Sequence, residues 1–222
     1  LSGDGVAVHP KDPSLERLNT LSDGVFAIAM TLMALDVHGP AHWDHTTSGL
    51  LAGLAGPFQA FFWSFFATAL FWVTHRRLFL VCTRSTPVLT GLNLFLLGEI
   101  TLIPVLTRML TELLYLGGVL DLYLGLYFLI GVTNAALFVY ATRIARITQA
   151  PPGPWVVVVG AGTMAFVPVV MTALGVLSVL PELRWLPSLM PLVFAVSFGS
   201  RRLAGRLDAR RSRKAADGKA GK

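Results

Sequence analysis

A succession of long apolar runs, separated by short polar or basic clusters, constrains this chain more than any other feature. The runs lie near 20–37, 50–73, 88–107, 116–141, 155–178 and 185–200. Most of them reach the roughly 20 residues that a helix needs to cross about 30 Å of hydrocarbon. Composition agrees, because 54% of the residues are hydrophobic and only 14% are charged, against about 25% charged in soluble domains. With a mean hydropathy of +0.66, the chain carries more apolar surface than one water-soluble core can hide. The expected fold is an all-α polytopic membrane protein with six transmembrane helices. The sixth run is short and carries Pro187 and Pro191 near its start.

Six helices use more than half of the 222 residues and leave little for a separate catalytic domain. No Ser-, Gly- or Pro-rich linker divides the chain. Residues 1–200 therefore read as one six-helix domain and 201–222 as a basic cytoplasmic tail, expected to be disordered. About 20 polar residues precede the first run and no small-residue cleavage site follows it, so the first span is expected to stay in the chain. The single cysteine, Cys82, excludes an internal disulfide and reads as a small packing residue.

Positive residues test the span count, since Lys and Arg concentrate in cytoplasmic loops. Lys11, Arg17, Arg76, Arg77, Arg84, Arg143, Arg146 and the nine basic residues from Arg201 to Lys222 fall on one side of the six-span arrangement. Only Arg108 and Arg184 fall on the other. Both termini are accordingly expected in the cytoplasm, in a multi-pass protein of the cell membrane. The net charge of +6 follows from the same asymmetry, and the tail reads as a topology-setting end rather than as a nucleic-acid arm or an anionic-lipid anchor.

The unusual residues gather on the first span. Asp12 followed by Pro13 is a good helix start, which would place Ser22 and Asp23 inside the helix; alternatively Thr20 or Ser22 caps a helix that begins later. Candidate partners for Asp23 are Arg17, His75 at the end of span two and Asn93 early in span three. Further along, Ile28, Leu32 and Leu35 form one apolar face with Thr31 beside it. Such a stripe ordinarily packs against a neighbouring helix.

Arg17-Leu-Asn-Thr-Leu21-Ser22-Asp23-Gly24 resembles the R-x-x-x-F-S-D-G signature that opens the first helix of the transmembrane protein 175 potassium channels in their prokaryotic form. The segments around Phe71 to Phe79, with His75, and Leu92 to Leu97, with Asn93, resemble the end of that family's second span and the start of its third. Leu21 stands where the family usually has Phe, which keeps an apolar contact and loses the ring.

The resemblance implies a potassium-permeable homotetramer in which four first helices line the pore. On that basis Ile28, Leu32 and Leu35 form apolar constriction rings, Thr31 supplies a ring of hydroxyls, and Arg17, Leu21, Ser22, Asp23, His75 and Asn93 position the pore helix. The chain has no T-V-G-Y-G filter loop, so carbonyl coordination of that kind is not available to it. No cofactor is implied beyond the permeating potassium, and the expected partners are further copies of the chain and membrane lipid.

Two other readings compete. Glu99, near the middle of span three, suggests a proton-coupled transporter, since carboxylates within the membrane often mark proton relays. The loop residues His38, His42, Asp44 and His45 have a spacing that suggests metal ligands, but nothing in their pattern would hold them rigid, and they read as exposed histidines without a metal. The sequence offers no catalytic triad or phosphate loop, so no enzymatic activity is expected.

Overall fold

The computed structural model describes residues 12–40, 44–113, 118–149, 152–178, 182 and 185–220, without the side chains of 187, 190, 194 and 214–220. Lys11, His42 and Arg184 lie outside the described residues. Six α-helices follow in order: α1 Pro13–Leu35, α2 Thr47–Val81, α3 Pro87–Leu113, α4 Val119–Val139, α5 Pro154–Leu177 and α6 Met190–Ala220. A π-helical turn, Tyr140–Ile144, continues α4, and a 3-10 turn, Leu186–Leu189, precedes α6.

The earlier of the two possible starts for α1 is the one found. Asp12 is its N-cap, accepting from the Ser14 backbone N–H at 3.0 Å, and Pro13 occupies the first turn, where a missing N–H costs nothing. The other Asp12 oxygen accepts from the Ser85 backbone N–H at 2.9 Å, tying the start of α1 to the α2–α3 connection. These bonds, that of Ser14 foremost, hold the Asp12 carboxyl below its usual pKa.

Helix α2 is longer than the apolar run expected for it. Its 35 residues extend about 52 Å, well beyond a bilayer core, because Thr74 to Val81 continues the helix past the apolar stretch.

Helices α1 to α5 are long and apolar enough to cross a membrane. The sixth expected span differs. The apolar part of α6 ends at Ser200, short of a full crossing, and the helix continues into the basic segment. That segment, expected to be disordered, is helical as far as Ala220. Its Ala, Leu, Arg and Lys residues favour helix, and Asp208 anchors it by accepting from the backbone N–H groups of Trp155 and Val156 at 3.2 and 3.0 Å. Asp208 thereby caps the start of α5 from another helix.

Packing follows the chain. α1 lies against α2 and α3, α4 against α3 and α5, and α5 also against α2 and α6. The core contains Phe26, Met33, Phe71, Leu96, Ile100, Tyr123 and Tyr127, all essentially inaccessible. Gly131 is required where α4 meets α5, because a Cβ there would overlap the Ala165 backbone.

The loops at one end are joined to one another. Thr83 N–H donates to Ile147 O at 2.8 Å and Gln149 N–H to Val81 O at 3.0 Å, linking the α2–α3 and α4–α5 connections. With the Asp12–Ser85 and Asp208–α5 bonds, these contacts gather the start of α1, the end of α2, the end of α4, the start of α5 and the basic half of α6 at one end. Arg108 lies near the opposite end of α3, paired with Glu112 at 2.9 Å.

Candidate functional site

Three of the expected residues form one directional chain of hydrogen bonds between helices. Asn93 of α3 accepts from His75 Nε2 of α2 at 2.7 Å through Oδ1, and its Nδ2 donates to Ser22 Oγ of α1 at 3.0 Å. The Ser22 hydroxyl then donates to the Leu18 carbonyl at 2.8 Å. Ser22, His75 and Asn93 are all 0% exposed, so each link replaces water that cannot reach it. His75 is held from both sides by rings, with Phe26 at 5.6 Å and Phe79 stacked at 4.2 Å. Its Nδ1 has no partner among the described residues.

Asp23 sits beside this chain and is not part of it. Its Oδ1 accepts from the Trp72 indole N–H at 2.8 Å and its Oδ2 from Asn19 Nδ2 at 3.3 Å. The expected pairing with Arg17 is absent: Arg17 is exposed and makes no ion pair or hydrogen bond among the described residues. The reason is helical phase. Arg17 falls on the outward side of α1, whereas Asp23 turns toward α2. Sequence reasoning missed Trp72 and Asn19 as the partners of Asp23. Asn19 carried a signal, standing four residues before Asp23 on the same helix face, and Trp72 lies three residues before His75, one turn along the same helix.

The other face of α1 is uncovered along its length. Leu21, Ile28, Leu32 and Leu35 are exposed, Ile28 by 59% and Leu35 by 78%, while Phe26, Ala29 and Met33 on the opposite face are buried. Leu21, Ile28 and Leu35 recur at seven-residue spacing, and Arg17 extends the stripe at its basic end. Leu21, at 48% exposure, is only half covered by its own chain. Thr31 lies on the same side, its hydroxyl returned to the helix backbone at Ala27 O and Ile28 O, both at 3.0 Å.

Glu99 lies apart from both groups, between α3 and α4. It is 5% exposed, and its Oε1 accepts from the Thr133 hydroxyl at 2.9 Å. Its Oε2 has no partner among the described residues. Among the described residues, no three His, Cys, Asp or Glu side chains are placed to hold a metal. His38 bonds to the Asp36 carbonyl at 2.7 Å, and Asp44 accepts from the Thr46 backbone N–H and hydroxyl, bonds that hold the Asp44 carboxyl below its usual pKa.

Comparison with known proteins identifies the family. The family model described as endosomal/lysosomal potassium channel TMEM175 matches residues 17–104, the stretch that holds both the α1 stripe and the hydrogen-bonded network. A potassium channel of Chamaesiphon minutus is 31% identical over 144 residues, covering 62% of this chain and 71% of the relative. A potassium channel of Streptomyces collinus is 33% identical over 125 residues, covering 55% of this chain and 60% of that one. The match to the endosomal/lysosomal proton channel TMEM175 of Danio rerio spans only 22% of that longer protein. The crystal structure of a lysosomal potassium-selective channel TMEM175 homolog from Chamaesiphon minutus superposes with a TM-score of 0.57 at 25% identity, covering 90% of this chain and 99% of that one. The chain is therefore a multi-pass membrane protein that belongs to the TMEM175 channel family.

Proposed function

We propose that this chain is a potassium-permeable cation channel, assembled as a homotetramer in the cell membrane with the α1 stripe facing a central pore. One observation carries the reading: Ile28 is 59% exposed midway along a helix whose opposite face is buried. The names of the bacterial relatives supply the ion. The Lys and Arg asymmetry supports a cytoplasmic basic end with both termini on that side.

In this assembly Ile28, Leu32 and Leu35 form successive apolar rings. Isoleucine and leucine offer no oxygen to replace hydration water, and a bare ion in a low-dielectric ring would cost tens of kcal/mol by simple Born reasoning. Ions pass with much of their water retained, and the rings gate by dewetting when they narrow. The Thr31 hydroxyl oxygens provide acceptors between the rings. Potassium is favoured over sodium to the extent that it sheds water more easily. Leu21 and Arg17, exposed in a single chain, meet other copies at the inner end. Ser22, Asp23, His75 and Asn93 serve positioning, holding α1 against α2 and α3, and bind no ion. Glu99 is read as a structural partner of Thr133, and a proton-coupled transporter that uses it is the alternative reading.

The test is planar-bilayer recording of Ile28→Cys under a potassium gradient, with a charged thiol reagent added during conduction. Cys82, the chain's one native cysteine, is 1% exposed, so the introduced thiol is the accessible target. Block of the current is the expected result. Complete labelling with the current unchanged would place Ile28 outside the pore.

A further inference from the structure

Two arginines at the basic end line one small cavity without a counter-charge. Arg77 of α2 and Arg201 of α6 share a cavity of about 210 Å³, walled by apolar residues that include Leu70, Val167 and Phe198. Arg201 is half-buried and reaches the third turn of α5, where its Nε donates to Thr163 Oγ1 at 2.9 Å. Its terminal nitrogens make no hydrogen bond, and neither arginine forms an ion pair, among the described residues. Arg77 is exposed at the rim of this space and Arg201 is half-buried within it, and two like charges beside one apolar-walled space repel each other and attract an anion.

A second cavity adjoins the first. A groove of about 370 Å³ runs between α5 and α6, lined almost wholly by apolar atoms of residues such as Phe166, Val170, Leu192 and Val196. Thr163, Val167 and Ser197 border both spaces. The arginine-lined cavity and the apolar groove are thus neighbours that share part of their walls. A ligand that satisfies both parts has an anionic head and a hydrocarbon tail.

We propose that this composite site holds an anionic phospholipid, its phosphate on Arg77 and Arg201 and an acyl chain in the groove between α5 and α6. The guanidinium forks suit phosphate oxygens, and basic pockets between membrane helices are a known setting for lipid headgroups. The short apolar part of α6 fits the same picture, because a bound lipid covers the side of α5 that α6 leaves open. The site is separate from the α1 stripe and does not depend on the pore reading.

Native mass spectrometry of the detergent-purified full chain tests the proposal, with phosphatidylglycerol, phosphatidylcholine and glycerol 3-phosphate as probes. The expected result is tighter retention of phosphatidylglycerol than of phosphatidylcholine. Arg77→Gln with Arg201→Gln lowers the phosphatidylglycerol affinity by about thirtyfold, while Arg143→Gln with Arg146→Gln, a charge-matched change elsewhere on the basic end, leaves it unchanged. Val196→Trp, which fills the groove and keeps both arginines, also weakens phosphatidylglycerol retention. Equal binding of the two lipids would overturn the proposal, as would full affinity in the double glutamine variant. Displacement of phosphatidylglycerol by glycerol 3-phosphate, or full retention in Val196→Trp, would make the ligand a soluble anion and overturn it equally.

Discussion

The indole N–H of Trp72 donates to the Asp23 carboxylate at 2.8 Å, joining α2 to α1 one helical turn from the buried His75–Asn93 pair. This bond fixes the rotation of α1, and with it the direction in which Ile28 and Leu35 point. Trp72→Phe keeps most of the ring and removes the donor. It is expected to cost about 1.5 kcal/mol, the low end for a hydrogen bond to a charged group because the site is half-buried. For the tetramer proposed above, Asp23→Ala is expected to lower the tetramer fraction on size-exclusion chromatography. A well-assembled tetramer with altered selectivity would instead make Asp23 an ion-binding group.

Asn93 occupies the centre of its network, so its loss is expected to exceed that of Ser22. Asn93→Ala strands the His75 N–H and removes the donor to Ser22, at a cost of about 1 to 3 kcal/mol for buried unsatisfied groups. Ser22→Ala leaves the His75–Asn93 bond intact and costs less. Thermal unfolding in detergent, followed by tryptophan fluorescence, ranks the two. Equal midpoints would show that Asn93 does not join the helices energetically.

Cys82 is expected to be inert in the folded protein. Burial pushes its thiol up to about 11, so at pH 7 to 8 the reactive thiolate is scarce and the sulfur is also covered. Maleimide labelling at pH 7.5 should be negligible until the protein is denatured. Because the folded pKa is raised above that of the unfolded chain, raising the pH through the unfolded value toward 11 withdraws stability. Labelling should accelerate over the same window. Rapid labelling of native protein at pH 7.5 would contradict the buried position.

Glu99→Gln preserves an acceptor for the Thr133 hydroxyl, so the α3–α4 contact should persist and the bilayer current should be unchanged. A transporter that used this carboxylate for protons would lose pH-driven uptake in the same variant. Proteoliposome flux with and without a pH gradient separates the two.

The sequence and the structure agree where a physical rule acts over a short range. The Asp12-Pro13 start of α1, the apolar runs of α2 to α5 and the clustering of basic residues at one end were legible because capping, hydropathy and charge asymmetry are local properties. His75 and Asn93 were legible as candidates because the topology puts them on the same side as the start of α1, but nothing in the spacing of 53 and 18 residues shows that they bond to Ser22 rather than to Asp23. Of the three candidate partners of Asp23 none bonds to it, because Arg17 faces away along α1 while His75 and Asn93 bond to each other and to Ser22, leaving Asp23 to Trp72 and Asn19. The helical tail was missed because its charge density argued for solvation, whereas Asp208 makes a tertiary contact that no local pattern announces. The extension of α2 to Val81 was hidden because hydropathy marks where lipid ends and not where a helix does.

The contact of Asp208 with the first turn of α5 gives the cationic helix a mechanical connection. A tether of flexible chain would let the tail drift without consequence for the membrane bundle. Here a rod rich in arginine is bolted to the foot of a crossing helix, so any force that tilts the rod acts as a lever on α5 and, through the Gly131 contact, on α4.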